Sequence, residues 1–193
     1  MHHDHATSRR KRRTPKPLES QRLEELALAY VARFSTSAGK LKNYLARKLR
    51  ERGWDDEGDP DVDGLVARFV DKGYVDDEIY GRSRANGLLS RGYGARRIEQ
   101  DLRAADIAEP LRNALGPDEA ARRESALTLA RRRRFGPYDK SAAQGSEEAH
   151  KLREKRLAAM VRAGHDFDAA RHVLDAASIE ELEEWVAEAR DID

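Results

Sequence analysis

The sequence predicts an all-α protein, tandem three-helix repeats in an elongated, curved array, and three observations predict it. Apolar residues return at the three- and four-residue spacing of one helix face along most of the chain. No stretch alternates apolar and polar residues with the β-branched enrichment of a half-buried strand. A short signature recurs at Arg52-Gly53-Trp54, Lys72-Gly73-Tyr74, Arg91-Gly92-Tyr93 and Ala163-Gly164-His165. Glycine takes the left-handed position that ends a helix, a preceding cation suits the negative end of the helix dipole, and a following ring folds back on the last turn.

The elements follow in order. Residues 1–20 carry His2, His3, His5, the basic run Arg9 to Arg13 and almost no large apolar side chain, so a disordered basic arm is expected. Without a thiolate or a fixed scaffold, its histidines predict no selective metal site. The first three-helix repeat, 21–74, has the stripes Leu23, Ala27, Tyr30, Val31 and Phe34; Leu41, Tyr44, Leu45, Lys48 and Leu49; and Val62, Leu65, Val66, Phe69 and Val70. Ser35 to Ser37 offer an N-cap to its second helix and Asp59-Pro60-Asp61 an entry to its third. The second repeat, 75–116, is capped by Asp76, re-entered at Gly94 ahead of Ile98 and Leu102, and finished by a helix from Pro110. The third, 117–176, has helices over about 120–134, 147–163 and 167–176, with a mobile loop expected near 136–146. Residues 177–193 form an acidic C-terminal helix opened by a Ser178/Glu181 capping box, with Ile179, Leu182, Trp185, Val186 and Ala189 facing inward.

Composition narrows the function. Charged residues are 38% of the 193, against about 25% in an ordinary domain, and only 6% are aromatic, so thin helical layers fit better than one thick core. The absence of cysteine excludes a disulfide framework, a thiolate zinc site and a cysteine nucleophile. No apolar run approaches the roughly 18–20 residues of a membrane span, and the polar start does not read as a signal peptide, so a cytoplasmic protein is expected. Net charge is only +1, yet basic residues gather at one end and Glu180, Glu181, Glu183, Glu184 and Glu188 at the other.

Catalytic patterns are missing. There is no Gly-rich phosphate loop, no helical zinc-binding histidine pair and no nucleophile elbow. His150, His165 and His172 read as surface or helix-end residues, and Asp76-Asp77 as a cap. No catalytic residue, metal or cofactor is expected. Arg82, Arg84, Arg91, Arg96, Arg97 and Arg103 outnumber Glu99 and Asp101 across the middle repeat and mark a candidate contact surface for phosphate or carboxylate. Arg122, Arg123 and Arg131 to Arg134, with Lys151, Arg153, Lys155 and Arg156, form a second basic cluster.

The stretch Gly73-Tyr74-Val75-Asp76-Asp77-Glu78, continued by Arg91-Gly92-Tyr93-Gly94-Ala95-Arg96-Arg97-Ile98 to Leu102 and Ile107, closely resembles the central signature of the RecX regulatory proteins. Looser similarity runs from about Leu26 to Leu174, through Ala46-Arg47-Lys48-Leu49 and Arg162-Ala163-Gly164-His165-Asp166-Phe167. The resemblance implies a non-enzymatic monomer that binds the RecA–single-stranded DNA filament and suppresses its ATPase, strand-exchange and coprotease activities. It carries over the middle-repeat arginines Arg82, Arg84, Arg91, Arg96, Arg97 and Arg103 as contacts to the filament or its phosphates, and Lys151 and Arg153 of the second basic cluster are expected to join them. Gly73, Tyr74, Asp76, Asp77, Gly92, Tyr93, Gly94, Ile98 and Leu102 come over as scaffold. Lys40, Gly81 and His165 depart from the residues usual in the family at their positions. The residues alone leave open a stand-alone helical nucleic-acid-binding module, or a helical adaptor.

Overall fold

A computed structural model describes residues 16–139 and 147–191; the greater part of the expected basic arm, with its three histidines, and most of the expected loop lie outside these residues. Ten helices follow one another among the described residues: α1 Ser20–Val31, α2 Ala38–Arg52, α3 Val62–Asp71, α4 Asp77–Leu89, α5 Ala95–Ala104, α6 Glu109–Ala114, α7 Glu119–Arg133, α8 Glu147–Arg162, α9 Phe167–Asp175 and α10 Ile179–Arg190. The start of the expected loop is a 3-10 turn at Gly136–Tyr138. The described residues contain no strand, only an isolated bridge between Leu18 and Trp54.

Local chemistry sets the boundaries. The side chains of Ser37, Asp61, Asp76, Asp118, Asp166 and Ser178 each accept a hydrogen bond from the amide three residues on, satisfying a donor that the helix cannot. At the other ends Gly73, Gly92 and Gly164 lie at φ 70°, 80° and 99°. Their next amides reach back to the carbonyls of Phe69, Leu88 and Met160, closing the last turn. Asp106 and Arg134 hold the same left-handed position without being glycine, and Ile107 and Phe135 make the matching bonds to Leu102 and Ala130.

Three apolar cores result. The first joins Leu23, Ala27, Leu41, Leu45, Leu65, Val66 and Phe69 of α1–α3 with Leu18 and Val75 from just outside them. The second is built on Tyr80, Ala85, Leu88, Ile98, Leu102, Ile107 and Leu115 of α4–α6 and their turns. The third draws on α7–α9 and also on Leu182 and Val186 of α10, so the acidic C-terminal helix shares the core of the unit before it. Three groups of helices around three cores fit the tandem three-helix plan.

Several expectations need correction. Phe34 and Val70 fall on the predicted apolar stripes, but Phe34 follows the end of α1 and both are exposed. The capping box at Ser178 is displaced by one residue: the Glu181 carboxylate accepts from the Ala177 amide at 2.7 Å rather than from Ser178. His165, read as a surface or helix-end residue, does follow a helix end but is only 3% exposed.

The units meet in the same way twice. Ser37, the N-cap of α2, donates its hydroxyl to the Ala105 carbonyl just past α5, and a Cβ on Gly39 would stand 2.2 Å from that of Asp106. One unit later the Gly94 and Arg96 amides at the start of α5 donate to the Ala163 and Gly164 carbonyls just past α8, at 3.0 and 3.1 Å. In each joint the amide end of a unit's second helix faces the carbonyl end of the next unit's second helix, so opposite ends of two helix dipoles are apposed.

Candidate functional site

The middle unit presents its arginines in three different states. Arg84 is held by both carboxylate oxygens of Asp101, at 2.9 and 2.7 Å, tying α4 to α5. The pairing keeps the Asp101 carboxyl below its ordinary pKa and raises that of Arg84. Arg153 is held likewise by Asp175, at 2.7 and 2.6 Å, between α8 and α9. Arg82 with Glu78, Arg103 with Glu99 and Lys151 with Glu147 form exposed pairs one helical turn apart, which are weak and easily exchanged. Arg96 and Arg97 are exposed at the start of α5 and form no ion pair among the described residues.

Arg91 lies elsewhere. Its Nε donates to the Gly87 carbonyl at 2.7 Å, its guanidinium lies 5.7 Å from the Tyr93 ring centre, and its own carbonyl accepts from Arg132 Nη1 at 2.7 Å. Arg91, Tyr93, Arg132 and Arg133 then rim a cleft of about 180 Å³ whose remaining walls are Leu129, Phe135, Ala159 and Ala163. The structure therefore splits the eight expected contact residues: Arg96 and Arg97 stand together without an ion pair among the described residues, Arg91 turns toward the joint with the third unit, and Arg84 and Arg153 brace helices.

The expected scaffold residues divide similarly. Ile98 and Leu102 are core, Asp76 caps α4, and the Asp77 carboxylate accepts from the Ala38 amide at 2.8 Å, reaching into the first unit. Gly92 and Gly94 are sites of close approach, since a Cβ on Gly92 would lie 2.7 Å from the Leu129 nitrogen and one on Gly94 would lie 2.4 Å from the Gly164 carbonyl carbon. Gly73 ends α3, while Tyr74 is half exposed and packs edge-on against Phe69. Tyr93 is partly buried on the second core.

Sequence reasoning missed the joint residues. Lys40 Nζ donates to the Tyr80 hydroxyl at 2.9 Å across the first joint. His165 Nε2 meets the Gly92 carbonyl at 3.0 Å across the second, and burial lowers its pKa against the opposing effects of that bond and of Asp166. The departure of both positions from the family pattern was the only signal in the chain. No group of three or more metal-ligating side chains occurs among the described residues. None of their helices is long and apolar enough to cross a membrane.

The protein is 31% identical over 175 residues to regulatory protein RecX of Myxococcus xanthus, an alignment covering 84% of this chain and 89% of that one. The chain belongs to the RecX family of regulatory proteins. RecX of Mycobacterium sp. strain KMS is 34% identical over 122 residues, 62% of this chain and 65% of the relative. The crystal structure of RecX from Lactobacillus salivarius superposes with a TM-score of 0.57 at 17% identity, covering 85% of this chain and 96% of that one, and so shares the fold. No family model matches the chain. Membership in RecX gives a regulatory role and an all-α fold, and the relatives' names are those of regulators rather than enzymes.

Proposed function

We propose that this protein binds the RecA–single-stranded DNA filament and inhibits its ATPase, strand-exchange and coprotease activities, acting in the cytoplasm as a monomer on recombination, DNA repair and the SOS response. Family membership supports the regulatory part. The observation that carries the contact part is the exposed Arg96 and Arg97, which form no ion pair among the described residues, beside the exchangeable Arg82 and Arg103. Guanidinium forks of this kind match a carboxylate or a phosphate equally well, so either component of the filament can serve as partner.

The repeats at 21–74, 75–116 and 117–176 suit such a target, because an array of units spreads its contacts over several protomers and their energies add. Such binding inhibits only if it favours one state of the filament over another. Arg84 and Arg153 support the surface by bracing it, and Lys151 extends it onto α8.

The test adds the purified protein to RecA filaments preformed on single-stranded DNA with ATP and follows hydrolysis. Expected is loss of hydrolysis at concentrations that leave bare DNA unbound at the same salt, and weaker inhibition by Arg97→Glu with unchanged helix content. Undiminished hydrolysis with tight binding to bare DNA would instead establish the second reading, a stand-alone nucleic-acid-binding module, which the carboxylate-free arginine cleft favours.

A further inference from the structure

The lining of the cleft between the second and third units holds three arginines and no carboxylate. Arg91 and Tyr93 come from the end of α4 and the turn after it, Arg132 and Arg133 from the last turn of α7, and Ala159 and Ala163 from the end of α8. Arg91 spends its Nε on the Gly87 carbonyl and Arg132 spends one Nη on the Arg91 carbonyl. Both keep further N–H donors, and Arg133 makes no side-chain hydrogen bond or ion pair among the described residues.

Like charges gathered around an apolar floor repel one another, and that repulsion is relieved by an anion. At about 180 Å³ the cleft is smaller than the roughly 300–1,000 Å³ of an ordinary small-molecule pocket, which suits one tetrahedral oxyanion and not a whole nucleotide. Arginine forks favour phosphate among such anions because their N–H groups pair bidentately with its oxygens.

We infer that this cleft is a phosphate-binding site shared by two repeats, and that an occupying phosphate group locks the joint between them. The joint itself runs through the hydrogen bonds from the Gly94 and Arg96 amides to the Ala163 and Gly164 carbonyls, and through the His165–Gly92 contact. A ligand held by arginines of both units closes a second path around that joint. The phosphate is either free or a phosphodiester of a single strand, which shares its chemistry. The inference extends the proposed regulation to the geometry of the array, and its test contains no recombinase, so its failure leaves the filament reading untouched.

Inorganic phosphate is titrated into the full-length protein by NMR, following arginine side-chain signals and the hydrogen exchange of the Gly94 and Arg96 amides. A parallel arm uses a short oligothymidylate. Expected are saturable shifts of the Arg91, Arg132 and Arg133 signals and slower exchange of both amides. Arg133→Gln, a change at an exposed residue with no side-chain partner among the described residues, is expected to weaken binding about tenfold, while Arg171→Gln on α9 leaves it unchanged. Saturation by the oligothymidylate at far lower phosphate equivalents assigns the site to a strand, and equal potency per phosphate assigns it to the free ion. Unchanged signals in both arms, or equal binding by Arg133→Gln, would overturn the site. Binding without any slowing of amide exchange would overturn the lock.

Discussion

Nε2 of His165 meets the Gly92 carbonyl only as an N–H donor, and burial holds the ring neutral by lowering its pKa from the ordinary imidazole range. Between the folded and the unfolded pKa the unfolded chain binds the extra proton, so stability gained from the neutral ring is complete above about pH 6.5 and is lost as pH falls through the folded value. The melting temperature is therefore expected to drop between pH 7 and 5, and His165→Gln, which keeps an N–H donor, to flatten that slope. An unaltered slope in the variant would place the titration elsewhere. Glycines make a sharper contrast. A Cβ on Gly87 meets nothing within 4 Å, so Gly87→Ala is expected to stabilise α4 by about 0.5–1 kcal/mol through helix propensity alone. On Gly94 a Cβ would drive into the Gly164 backbone, so Gly94→Ala is expected to cost about 1–3 kcal/mol. Denaturant midpoints of the two variants, moving in opposite directions, check both. That Gly92 or Gly164 ends a helix was legible in the sequence, because the requirement is local; that Gly94 must stay bare was not, because the atoms it meets lie some seventy positions away.

At the scale of the helix, sequence reading placed α7, α8 and α9 to within a residue at each end, since caps and glycines act over three or four positions, but carried the stripe of α1 three residues past its end. Ion pairing across helices escaped it. Arg84 and Asp101 are 17 residues apart, and their meeting depends on how α4 lies on α5, which periodicity does not give. A reading by composition alone counts Arg84 with Arg96 as available charge, whereas the fold occupies the first and leaves the second free. Arg84→Lys keeps the charge but loses the fork, and with the pair still partly exposed the expected loss is about 1 kcal/mol or less. Thermal melts of Arg84→Lys and Arg96→Lys check it: the first is expected to melt earlier and the second to match the parent. Asp101 sets the sign with pH, because a carboxyl with a lowered folded pKa stabilises above its unfolded value and stops doing so in acid.

For the whole molecule, the repetition of one joint turns three small cores into an array. Each core is filled by its own helices, with Lys40–Tyr80, Asp77–Ala38 and His165–Gly92 reaching across the joints. The fold class was legible because each core repeats a local pattern, but the joints were not, because they consist largely of backbone groups and residues without an apolar signature. If the geometry of the array matters for regulation, a change confined to a joint should impair regulation while leaving the units folded. Gly39 is the place to make it, since its Cβ position lies 2.2 Å from that of Asp106 and a larger side chain there must push the first unit off the second. Gly39→Leu removes none of the arginines of the middle unit. Helix content by circular dichroism is expected to stay near the parent's, the scattering profile to change, and inhibition of filament ATP hydrolysis to weaken severalfold. Full inhibition by a variant whose scattering had changed would mean that the contacts of single units suffice and that their spacing along the array does not contribute.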